Sequence, residues 1–91
     1  MIQHEKEYRA FIQKRGVGLN DDVASSVDSY VSYLRSVSKI LSKDITPDIL
    51  RSERDISSIV VAIGEQRKEK TINNYRSAMR QYVAFVSENG Y

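Results

Sequence analysis

One helix is written twice in this 91-residue chain. Val27-Asp28-Ser29-Tyr30-Val31-Ser32-Tyr33-Leu34-Arg35 aligns with Ile72-Asn73-Asn74-Tyr75-Arg76-Ser77-Ala78-Met79-Arg80 at an offset of 45 positions. Tyr, Ser and Arg recur at matching places, and Val/Ile and Leu/Met match in kind. A small hydroxyl residue precedes each copy, Ser26 in one and Thr71 in the other. Amphipathic spacing alone accounts for the apolar matches but not for the recurring Ser and Arg. A unit repeated at this period points to two similar helical hairpins packed together, each with an Arg beside its apolar stripe.

The length suits one domain over residues 1–91. With 41% apolar residues the chain can form a core, although a domain this small buries only about 60–65% of its unfolded surface. There is no Cys, hence no disulfide framework and no thiolate nucleophile or metal site. The single His4 cannot anchor a metal site alone, and with Glu5 and Glu7 it reads as a solvated helix end. No Gly-rich phosphate loop and no paired carboxylates on an apolar cleft are present. An enzyme is not expected, and neither is a metal or other cofactor. No apolar run approaches the ~18 residues of a membrane span, and no signal peptide is recognisable, so the expected location is the cytoplasm, with no membrane partner.

Four glycines and one proline leave long periodic segments uninterrupted, which argues for an all-α chain. A first helix is expected from about His4 to Arg15, with Tyr8, Phe11 and Ile12 on one face and Gly16-Val17-Gly18 as its stop. A second is expected from about Asp22 to Ser42, capped by Asn20 or Asp21, with Val23, Val27, Tyr30, Leu34, Val37 and Leu41 inward. Thr46-Pro47 starts a short turn through Leu50. Ser52-Glu53-Arg54-Asp55 resembles a capping box with Asp in place of Glu. It opens a third helix to about Ile63, which buries Ile56, Ile59, Val60 and Ile63 and ends at Gly64. Glu65 to Lys70 is expected to be a charged loop and Thr71 the cap of a last helix to about Glu88, with Asn89-Gly90 as its stop. Ile72, Tyr75, Met79, Tyr82, Val83 and Val86 form its apolar face.

The net charge of +2 is small, but its distribution is uneven. Between Gln66 and Val86 stand five basic residues (Arg67, Lys68, Lys70, Arg76, Arg80) and one acid, Glu69. Between Asp44 and Asp55, four acids face two arginines. One flank of the last helix carries Asn73, Arg76, Ser77, Arg80 and Ser87, residue types that donate to phosphates and base edges. The basic loop before it meets a helix N-terminus, which itself favours anions. Arg35 and Lys39 flank the second helix similarly, with Asp28 on the same side. The bland alternative is that these arginines are ordinary surface residues whose stems cover core edges. Tyr30 and Tyr75 read as core residues with a bonded hydroxyl at the edge. Tyr8, Tyr33 and Tyr82 serve packing or, alternatively, stack on bases.

The segment Thr71-Ile72-Asn73-Asn74-Tyr75-Arg76-Ser77-Ala78-Met79-Arg80-Gln81-Tyr82-Val83-Ala84-Phe85-Val86 resembles the last helix of the core-binding domain of tyrosine recombinases, the phage integrases. Phe11 through Arg15-Gly16 to Arg35 resembles the opening hairpin of that domain, with Ile45-Thr46 through Ile63 as the third helix. The resemblance implies a four-to-five-helix orthogonal SAM-like bundle built of two helical hairpins. In that family the bundle clamps duplex DNA against a separate catalytic domain. The Arg, His and nucleophilic Tyr of the recombinase active site have no counterparts in these 91 residues. Carried over, Thr71, Asn73, Arg76, Ser77 and Arg80 would face DNA, and Arg67, Lys68 and Lys70 would meet backbone phosphates.

The function expected is thus a DNA-binding helical module, with duplex DNA as partner. The competing readings are a protein-interaction or homodimerisation module and the helical head of a larger enzyme.

Overall fold

The computed structural model describes residues 1–16, 26–64 and 67–91. Among them are four helices: α1 (Glu5–Lys14), α2 (Val27–Leu41), α3 (Glu53–Ile63) and α4 (Glu69–Asn89). The repeated segments lie in α2 and α4, which pack against each other more extensively than any other pair of helices.

Each helix boundary has a local cause. Helix α1 gives way to Gly16, whose φ of 93° is open to a residue without Cβ. The remainder of the expected Gly16-Val17-Gly18 stop, and the caps at Asn20 and Asp21, lie outside the described residues. Helix α2 begins behind Ser26, whose extended backbone lets its Oγ accept from the Ser29 N–H at 3.0 Å. The expected turn follows Thr46, whose carbonyl accepts from Ile49 and Leu50.

Helix α3 opens with the anticipated capping box. Asp55 Oδ2 accepts from the N–H groups of Ser52 (3.2 Å) and Arg51 (2.8 Å), while Ser52 Oγ accepts from the Asp55 N–H at 3.4 Å. Asp55 thus satisfies two donors and Ser52 one, over a longer distance. Asp55→Ala is therefore expected to cost about 1–2 kcal/mol, and Ser52→Ala less. Thermal melts of the two variants check that order.

Helix α4 begins earlier than expected. Its N-cap is Lys68, not Thr71, and Lys68 has no side-chain cap bond. Starting the helix at Glu69 sets an acid in the first turn, where the helix dipole favours it. Lys70 and Thr71 are therefore helical, not part of a loop. The far end closes as expected, on Gly90 at φ 71°.

Helix α4 is the central element. It buries Ile72, Tyr75, Ala78, Met79, Tyr82, Phe85 and Val86. Ala78 and Phe85 were not on the expected apolar face, while Val83 is half-buried. The face is broader than a single stripe because α1, α2 and α3 all pack on this helix. On α2 the buried positions are Val31, Leu34, Val37 and Ser38. Val27, Tyr30 and Leu41, expected inward, are half-buried, as is Val60 of α3; Val23 lies outside the described residues. Ser38 tolerates burial because its hydroxyl donates to the Lys43 carbonyl at 2.6 Å.

The linking segments also enter the core. Ile2 and Ile45 form an isolated parallel bridge, with Gln3 N–H donating to the Ile45 carbonyl at 2.7 Å. Ile45 and Leu50 are fully buried. Two tyrosine hydroxyls fasten the ends of the chain together: Tyr8 donates to the Ala78 carbonyl (3.0 Å) and Tyr82 to that of Gln3 (2.9 Å). Burial raises the pKa of both phenols, so both remain protonated donors.

Candidate nucleic-acid interface

The first three turns of α4 carry most of the candidate residues. Asn73, Arg76, Ser77 and Arg80 recur at helical spacing and so share one face, with Lys70 at its edge. Lys68, Lys70, Asn73 and Arg80 are exposed; Thr71, Arg76 and Ser77 are half-buried. Arg67, just before the helix, is exposed. The N–H groups of the first helical turn have no acceptor within the helix, and the Lys68 side chain carries no oxygen to accept from them. That turn is therefore a concentration of donors and positive charge. Lys68, Lys70 and Arg76 form no ion pair with any described residue.

Two features qualify the expected flank. With α4 extended to Glu69, an acid lies four residues before Asn73 and so on the same face. Ser77 is also partly committed, since its hydroxyl donates back to the Asn73 carbonyl at 3.1 Å.

The two arginines that recur in the repeat are both held by glutamates. Arg35 on α2 donates Nε and a terminal nitrogen to the two carboxylate oxygens of Glu5, at 3.0 and 2.9 Å. Arg80 on α4 donates Nε to Glu53 at 3.2 Å. Glu5 is the first residue of α1 and Glu53 the first residue of α3. Each hairpin is thus latched by one bond type, from the start of its first helix to the repeated Arg of its second. The Arg35 hydrogen bonds hold the Glu5 carboxyl below the usual carboxylate range. Residues 5 and 53 lie 48 apart, not 45, which hid the glutamates from an alignment at the helix offset.

Arg35 and Lys39 stand apart from the α4 group. They line a surface depression of about 540 Å³ with Ser38, Ser42, Lys43, Asp44 and Met1. Lys39 and Lys43 are exposed and make no ion pair with a described residue. Lys43 was not among the expected contacts; its spacing of four from Lys39 was the available signal.

The tyrosines resolve mostly as packing. Tyr8 and Tyr82 are fully buried, so neither presents a ring face for stacking on bases. Tyr33 is half-buried, its ring 6.2 Å from Tyr30 and 6.0 Å from Tyr75. Tyr75 is buried as expected, whereas Tyr30 sits at the core edge.

Among the described residues, no group of three or more His, Asp or Glu side chains is arranged to hold a metal ion, and no helix is long and apolar enough to cross a membrane. The family model for the phage integrase N-terminal SAM-like domain matches residues 23–90. No curated protein and no solved structure matches the chain.

Proposed function

Because the chain belongs to the family of the phage integrase N-terminal SAM-like domain, we propose that residues 1–91 act as one DNA-binding helical module, without catalytic groups of their own. Duplex DNA is contacted through the start of α4. Arg67, Lys68 and Lys70 meet phosphates at the helix N-terminus. Thr71, Asn73, Arg76, Ser77 and Arg80 reach the adjoining backbone or groove. Arg35 and Lys39 on α2 supply further phosphate contacts. The observation that carries this reading is the N-terminal turn of α4, where donors lacking helical acceptors coincide with Lys68 and Lys70.

The test is a titration into fluorescently labelled duplex, with amide shifts recorded across α4. The double variant Arg76→Ala/Arg80→Ala is expected to bind about tenfold more weakly or worse. Its cooperative unfolding should persist, because the Arg80–Glu53 pair is solvent-exposed and contributes little. Unchanged affinity in this variant would remove α4 from the interface.

One observation favours a protein-facing role instead. Val61 on α3 is 80% exposed, beside exposed Ala62, Ser57 and Ser58, in a stretch without charge from Ile56 to Gly64. Concentration-dependent mass in sedimentation, together with no DNA binding at low salt, would support that reading.

A further inference from the structure

The two latches set a chemical conflict at the proposed interface. A guanidinium has five N–H donors, and each one held by a carboxylate, with the negative charge beside it, is withdrawn from a phosphate. Arg80 gives its Nε to Glu53, and Arg35 gives both nitrogens of one edge to Glu5. Both glutamates sit in first helical turns, so each retains a favourable place for its charge when its arginine leaves. In neither pair are both partners buried: side-chain exposures are 55% and 68% for Arg80 and Glu53, 57% and 31% for Arg35 and Glu5. Exposed pairs of this kind are weak enough for a phosphate to displace the carboxylate.

We propose that Glu53 competes with DNA phosphate for Arg80, and Glu5 for Arg35, so that the latches restrain the affinity of the module for DNA of any sequence. The inference rests on the DNA-binding reading of α4. Each arginine that moves to a phosphate leaves a bare carboxylate near the DNA, and the repulsion between the two anions offsets part of the arginine–phosphate attraction. Neutralising the glutamate removes both the competitor and that repulsion. The recurrence of the latch makes this a property of both hairpins and not of one chance surface pair. The bidentate Arg35–Glu5 pair is the stronger restraint of the two.

The experiment is a cycle of Glu53→Gln, Arg80→Ala and the double variant, titrated into the same labelled duplex at about 50 mM salt and again at higher salt. Glu53→Gln is expected to bind about two- to fivefold more tightly than the parent, with a log–log salt slope steeper by only a fraction of the ~0.9 of a whole phosphate contact, because in the parent Arg80 is shared between Glu53 and phosphate. In the Arg80→Ala background the same change is expected to raise affinity less than about twofold, since the competition has lost its object. Glu5→Gln, tested against Arg35→Ala, should repeat the pattern. Affinity unchanged or lowered in Glu53→Gln would overturn the competition. So would an equal rise with and without Arg80, which would reduce the effect to net charge. If Arg80→Ala binds as the parent does, or the parent binds no duplex, the reading of α4 as a DNA face fails and the proposal falls with it. That failure is told apart by the parent and Arg80→Ala titrations, without Glu53→Gln. Thermal melts guard the comparison: the Ser52–Asp55 capping box stays intact in Glu53→Gln, so its unfolding should remain cooperative.

Discussion

Phe85→Ala is expected to destabilise the fold by about 3–5 kcal/mol, the largest loss of any single substitution considered. Phe85 is 1% exposed. Its ring meets Tyr82 at 5.7 Å, Phe11 at 5.6 Å, Tyr91 at 5.4 Å, Tyr8 at 6.0 Å and His4 at 6.4 Å between centroids. Alanine would remove the ring from the centre of that cluster and leave a cavity lined on its inner side by the fully buried Tyr8 and Tyr82. The edge-to-face contacts add about 0.5–1.5 kcal/mol each beyond the area buried. A chain of this size has a total stability of roughly 5–14 kcal/mol, so between about a fifth and all of it is at stake. Since 1 kcal/mol shifts Tm by about 4–8 °C in a small domain, thermal melts should show a fall of roughly 12–40 °C. A fall of only a few degrees would mean that α1 does not dock on α4 through this ring.

The second large effect is on affinity. If Arg67, Lys68, Lys70, Arg76 and Arg80 engage four or five phosphates, the log–log salt slope is about −4. Raising salt from about 50 to 200 mM should then weaken binding by roughly 10²-fold or more. Apolar contacts and neutral hydrogen bonds would not respond so steeply. The triple variant Arg67→Ala/Lys68→Ala/Lys70→Ala is expected to flatten the slope by about 2.7, the equivalent of three phosphates. Its fold should survive, because all three side chains are exposed. A salt-insensitive interaction, or a slope that the triple variant leaves untouched, would place the DNA elsewhere or point to a protein partner.

The elements themselves were legible because their signals are local. Apolar residues at helical spacing marked α1 to α4. Ser52 and Asp55 announced the start of α3 through bonds that span three residues, and Gly16 and Gly90 announced stops through backbone conformations that suit glycine. The start of α4 was misplaced for the converse reason. Thr71 is a good cap by type, but capping is worth only about 1 kcal/mol. The helix runs past it to Lys68. That shift matters for the candidate site, because it turns Lys70 from a loop residue into a helical one and brings Glu69 onto the same face.

The candidate site was legible in its cations and not in their partners. Residue type marked Arg35, Arg80 and the run from Arg67 to Lys70 as anion-seeking. That Arg35 is tied to Glu5 and Arg80 to Glu53 depends on contacts across 30 and 27 residues. No spacing rule within a helix reaches so far. Tyr8 and Tyr82 were undecided between packing and base stacking; their burial decided it.

The chain alone determined that it is helical, which segments repeat and where positive charge accumulates, since each follows from residue type and periodicity within a few turns. Tertiary structure alone decided that α4 is the hub of the core, with Ala78 and Phe85 inside it. It likewise decided that the repeated arginines serve as latches between helices. Burial on several sides and ion pairing between distant residues are set by how helices meet in space, which the sequence encodes only through all of its contacts at once.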